Sequence, residues 1–313
     1  MTAPGPTRVS VIVPTCNRPG LLAEALASIR RLEADDLTFE IVVGDNGTCG
    51  EAREVVAAYG AVYVATTRRG CPGARNAALH AATADLIAFL DDDDVWLPGN
   101  IRPQLALLAE RPDLEAVTGQ AVLADHNLDN PGAPWPDPHP GDGDDLIRSM
   151  LSGYFPQVGT LVVRRHAYAA IGDLDESLLF GSDHDWQMRF ARRRTFAFTP
   201  VLGVMLRGRA FGTFTALQIK RQRYDRKIFL RHSLPEWRVW SSPRAFLKAY
   251  AGTLQHFYWY FVVTAEEAAA DGKRDDVLQA VRGAFLVFPM RALYHLVRRT
   301  GLRRAVLASA LRG

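Results

Sequence analysis

Cysteine is scarce in this chain. Its 313 residues include only Cys16, Cys49 and Cys71. Three thiols at these spacings build neither a disulfide framework nor a zinc-ligand set, so a reducing cytoplasm is the expected setting. They are expected to be small buried residues, since no base is placed to activate a nucleophile. Long apolar runs are missing as well. The nearest, residues 257–263 and 285–290, fall far short of the roughly 20 residues that cross a bilayer. Residues 1–8 have no apolar stretch, so no secretion signal is expected. The first turn, residues 14–20 (PTCNRPG), lacks the glycine-rich fingerprint of a nicotinamide or flavin site. The net charge is only +3, and no nucleic-acid partner is expected. His126, His139, His166, His232 and His256 show no metal-ligand spacing.

The chain does contain an apolar run at residues 86–90 that ends in Asp91, Asp92, Asp93 and Asp94. The run reads as a buried strand. Four adjacent carboxylates repel one another, and a divalent cation would remove that penalty. Oxygen ligands of this kind suit Mg2+ or Mn2+ alongside substrate phosphates. In extended chain, Asp91 and Asp93 would face one way and Asp92 and Asp94 the other. A solvated acidic turn is the alternative. It fits less well, because a fully apolar strand points straight into the run.

Strands are predicted over 9–13, 39–43, 61–65 and 86–90, with helices over 21–32, 51–59 and 74–82. This alternation predicts an α/β fold built on a mostly parallel sheet with helices on both faces. Ligands of such sheets lie beyond the carboxyl ends of the strands. That rule gathers residues 15–18, Asp45, residues 68–75 and residues 91–94 along one rim. A helix over 100–110 and a strand over 116–123 follow. Residues 129–145, rich in Pro, Gly and Asp around Trp135, read as a loop: either a passive insertion or a lid, with Trp135 as a stacking surface for an acceptor. Further on come a short helix (146–151), a strand (159–164), a helical turn (167–171) and a helix beginning near Asp183. Ser182 and Asp183 also fit as helix caps. Short strands at 196–198 and 201–206 lead to a basic turn with Arg207 and Arg209. A long helix then runs to about residue 230. The chain from 236 reads as helical, with an aromatic block at 256–261. Residues 290–313 carry six arginines and no acid. That segment suits packing or oligomer contact, or a basic amphipathic helix on anionic lipid. The expected domains are residues 1–235 and a helical extension, 236–313.

Four segments in this order resemble the family 2 glycosyltransferases of GT-A fold: residues 9–18 (VSVIVPTCNR), 41–48 (IVVGDNGT), 70–78 (GCPGARNAA) leading into 89–94 (FLDDDD), and 181–186 (GSDHDW) with Arg189 behind. The resemblance covers residues 8–230. It implies a single Rossmann-like sheet, here with a helical C-terminal extension, that binds a nucleoside diphosphate sugar. Pro14, Thr15, Asn17 and Arg18 would then surround the base and diphosphate, and Asp45 would bond the base, typically uracil. Arg75 would lie near the donor phosphates. Asp91 and Asp93 would be the ends of the family's Asp-x-Asp motif, with Asp93 on the metal and Asp91 on the ribose or a metal-bound water. Asp92 would belong to the same donor set, and Asp94 matches a further common acid. Asp183 would be the catalytic base, with Asp185 in reserve. His184, Trp186 and Trp135 are expected at the acceptor, and Arg207 and Arg209 over the diphosphate. Relatives often carry Glu-Asp where this chain has Ser182-Asp183, and a histidine near the place of Arg209.

The expected activity is therefore inverting, Mn2+- or Mg2+-dependent transfer of a sugar from a UDP or dTDP donor. The acceptor would be a hydroxyl or amine of a small molecule or glycan. The expected setting is the cytoplasm, including the inner face of the membrane. A nucleotidyltransferase acting on a sugar phosphate and a non-catalytic nucleotide-sugar-binding or oligomerising protein are the alternatives.

Overall fold

The computed structural model describes residues 5–136, 143–208, 215–234, 240–298 and 301–311. The chain divides into two compact units. One is Met1–Ile147 with Phe155–Gly208, and the other is Arg148–Tyr154 with Arg209–Gly313.

In the first unit, strands and helices alternate as the apolar pattern predicts: β1 (Thr7–Thr15), α1 (Pro19–Arg30), β2 (Leu37–Asp45), α2 (Glu51–Ala58), β3 (Val62–Ala65), α3 (Gly70–Ala81) and β4 (Leu86–Phe89). β5 (Val95–Trp96), α4 (Arg102–Glu110) and β6 (Ala116–Ala124) follow. α5 (Gly143–Leu151) comes next and contains the division between the units. A 3-10 turn (Val158–Thr160), β7 (Val162–Arg164), α6 (Arg165–Ile171), α7 (Ser182–Ala191) and β8 (Phe196–Arg207) complete the unit. The two short strands expected after residue 195 are one strand, β8. The sheet order is β3-β2-β1-β4-β7-β6-β8-β5. Four neighbouring pairs are parallel and three antiparallel, so the expected mostly parallel α/β sheet is present. β1 is buried from Val9 and β2 from Ile41 onward, in keeping with their β-branched runs and a sheet covered on both faces. The strand order reverses at β1, with β2 on one side and β4 on the other, and such a switch point opens a crevice at the carboxyl ends.

Gly44 sets how closely α3 approaches this crevice. A Cβ there would lie 2.0 Å from the Ala74 carbonyl oxygen, so the helix backbone rests directly on the strand. We expect Gly44→Ala to destabilise the unit by about 3 kcal/mol, the upper end of ordinary overpacking. A urea titration that returns the wild-type midpoint would refute this.

In the second unit, α8 (Thr215–Ser233), α9 (Pro243–Ala270), α10 (Arg274–Val287), α11 (Pro289–Val297) and α12 (Gly301–Leu311) form a helical bundle. The unit takes in α8, so it begins earlier than residue 236. Ser242 caps α9 by accepting the Ala245 N–H at 3.2 Å. Leu254, Phe257, Tyr258 and Phe261 fill the core from α9. Much of the aromatic block is therefore core packing. Among the described residues no helix is long and apolar enough to cross a membrane.

Candidate active site

The acidic run is not extended. β4 ends at Phe89, and the Asp94 N–H donates to the Asp91 carbonyl at 3.2 Å, closing a β-turn. The expected alternation is thereby corrected. Asp91, Asp93 and Asp94 bring carboxylate oxygens within 4.8 Å of one another, whereas Asp92 turns inward and is fully buried. Asp92 accepts from Thr15 Oγ1 at 2.6 Å and from Arg18 Nε at 3.2 Å, and also bonds Arg18 Nη2. Arg18 reaches onward to Asp93 at 2.8 Å. Asp92, seconded by Asp93, thus holds the β4 tip to the β1 turn. Burial pushes the Asp92 carboxyl up to about 7, against the pull of Arg18 and the Thr15 hydroxyl.

Arg75, buried on the first turns of α3, donates to Asp91. Burial raises Asp91 above the usual carboxylate range, and the charges of Asp93 and Asp183 add to that, while Arg75 opposes it. A site whose carboxylates resist ionising together is one that a divalent cation stabilises. Three clustered hard oxygen donors fit Mg2+ or Mn2+.

Asp183 lies in the first turn of α7, after Gly181 at φ 69°. Gly181 is the N-cap and makes no side-chain cap bond, so neither Ser182 nor Asp183 caps the helix. Asp183 is half-buried, accepts the His184 N–H at 2.9 Å, and borders a small, mainly apolar void lined also by Arg75, Phe89, Leu161, Trp186 and Gln187.

Asp45 accepts from the Gly47 N–H at 2.7 Å and the Tyr63 hydroxyl at 2.9 Å. Asn17, at φ 55°, accepts the N–H groups of Thr48 and Cys49 at 2.7 and 2.9 Å, tying the β1 turn to the β2 turn. Pro14 is buried within β1. His184 packs edge-on against Phe155, with centroids 5.1 Å apart.

Several expectations are corrected. Asp185 is fully buried and pairs with Arg189 at 3.1 Å, which leaves no path for an acceptor proton. Trp186 is 2% exposed, stacks on Tyr168 at 4.6 Å and donates to the Gly172 carbonyl, so it is core and offers no face to an acceptor. Trp135 is half-buried: it pairs with Ala121 in an isolated bridge and packs one side on the main core. Arg207 does not stand free to cover a diphosphate. Its guanidinium donates to Glu24 at 2.6 Å, to the Asp93 carbonyl at 2.9 Å and to the His126 carbonyl at 2.8 Å, and its N–H donates to Asp94 at 2.9 Å. It braces the acidic turn. Cys16 and Cys71 are exposed. Arg209 and His139 lie outside the described residues.

Sequence reasoning missed Gln187. It is 1% exposed, and neither end of its amide has a hydrogen-bond partner among the described residues. Its spacing of four from Asp183, on one helix face, was the available signal.

The family model described as Glycosyl transferase family 2 matches residues 10–160. An uncharacterized glycosyltransferase of Nostoc sp. is 25% identical over 177 residues, which cover 54% of each chain. The chain spans about half the length of the curated relatives it matches. Two solved structures share the fold. S. aureus TarS 1–349 has a TM-score of 0.55 at 16% identity over 91% of each chain. Mannosyltransferase PcManGT from Pyrobaculum calidifontis, in complex with GDP-Man and Mn2+, has 0.53 at 21% identity over 99% of this chain and 90% of its own.

Proposed function

We propose that this chain, which belongs to glycosyltransferase family 2 through residues 10–160, transfers a sugar with inversion from a nucleoside diphosphate donor to an acceptor hydroxyl or amine. UDP or dTDP is the favoured carrier, and the acceptor is a small molecule or glycan. One observation carries the reading. A turn presents three carboxylates, Asp91, Asp93 and Asp94, and Asp183 is near enough for its charge to act on Asp91, with Arg75 bonded to Asp91 and bordering the same small void as Asp183.

Asp91, Asp93 and Asp94 would hold Mn2+ or Mg2+, which when bound supplies positive charge to the departing diphosphate. The acceptor oxygen attacks C1 of the sugar, the bond from C1 to the phosphate oxygen breaks, and the nucleoside diphosphate leaves with the electron pair. Asp183 takes the acceptor proton as the new bond forms. Arg75 orients Asp91, and Thr15 and Arg18 fix the turn through Asp92. The proposed setting is the cytoplasm, which suits the free thiols of Cys16, Cys49 and Cys71.

Incubation with UDP-sugars or dTDP-sugars and Mn2+ should release free nucleoside diphosphate, and a chelator should stop the release. Pyrophosphate formed from a nucleoside triphosphate and a sugar phosphate would instead favour nucleotidyl transfer. Neither product would favour a binding module.

A further inference from the structure

α11 carries a face that sugar transfer does not use. Met290, Leu293, Tyr294 and Val297 are 49–76% exposed. Steps of three and four residues align them in one stripe along the helix. Ala292 is fully buried, so the helix already has an inner face and the stripe is additional to it. Cations frame the stripe. The Arg291 guanidinium lies 5.0 Å from the ring centroids of Tyr258 and Trp259, and Trp259 is itself exposed. Arg298 lies 5.3 Å from the Tyr294 ring. Arg303 donates to the Val297 carbonyl at 3.0 Å. Residues 290–313 hold no acid of their own, and Glu266 pairs with Arg304 at 3.3 Å.

We propose that this face docks on the surface of an anionic lipid bilayer. The apolar stripe enters the acyl boundary, and Arg291, Arg298 and Arg303 meet headgroup phosphates. Exposed apolar side chains in a helical stripe, arginines at its margins and aromatic rings beside them are what an interfacial helix requires. At 9 residues, α11 is about 14 Å long, less than half of a hydrocarbon core of about 30 Å, so it lies on the membrane. A second copy of this chain is a poorer occupant, because a two-fold contact would set the same arginines against one another. The inference does not depend on the transferase reading and is measured without turnover.

The test is cosedimentation of the whole chain with two kinds of vesicle: pure phosphatidylcholine, and phosphatidylcholine with phosphatidylglycerol in equal parts. The protein should pellet with the mixed vesicles and remain largely in the supernatant with pure phosphatidylcholine. L293E/V297E should weaken binding to the mixed vesicles at least about tenfold, since two buried side chains and two new like charges act together. R291Q/R298Q should weaken it while leaving the apolar stripe intact. All four positions are exposed, so the variants should keep the wild-type melting temperature. No pelleting with mixed vesicles, equal pelleting with both kinds, or a dimer abolished by L293E/V297E without any lipid binding would each overturn the proposal.

Discussion

Asp93→Asn is expected to abolish cation-dependent donor binding. Asp93 is one of three residues whose oxygens converge within 4.8 Å. Replacing it removes a ligand and a charge together. The expected loss exceeds about a hundredfold in affinity for UDP with Mn2+, because losing even an outer-shell partner of a metal costs 10–100-fold. The fold should survive. The Arg18–Asp93 ion pair at 2.8 Å is part-exposed, such pairs contribute little, and the substitution relieves repulsion with Asp91. Calorimetric titration decides the matter: wild-type affinity in Asp93→Asn would remove the acidic turn from the donor site.

The second large effect is expected at Asp183. Asp183→Asn preserves shape and keeps an oxygen to accept the His184 N–H, but it cannot take up a proton at neutral pH. Turnover should fall by roughly 10²–10⁴-fold, the usual worth of a general base, with donor affinity unchanged. That split separates a catalytic role from a structural one. Turnover near wild type would transfer the proton to another group. Asp185 is a poor candidate, since it is fully buried against Arg189.

The strands and helices that build the switch point between β1 and β4 were legible because each is a run of β-branched or periodic apolar residues. The acidic cluster was legible as composition but not as geometry. Alternation of side chains holds only while the chain is extended, and the chain turns between Asp91 and Asp94. A backbone bond from Asp94 to Asp91 moved Asp94 to the side of Asp91 and Asp93. Trp135 and Trp186 look alike in a sequence whether they stack on a ligand or on a core, and tertiary packing alone decides. Arg207 was misread for a similar reason. Its acidic partner, Glu24, lies 183 residues away in the sequence, and no local pattern points to it. The two-residue strand β5 was too short for any periodicity to show.

The bracing of the acidic turn has a kinetic consequence. Thr15 and Arg18 hold it from the β1 side through Asp92, and Arg207 holds it from the β8 side through Asp94 and the Asp93 carbonyl. A diphosphate bound as proposed would meet a tip whose shape is already set. Little conformational freedom is left to surrender there on association, and capture can proceed at the pace of encounter without waiting for the tip to rearrange.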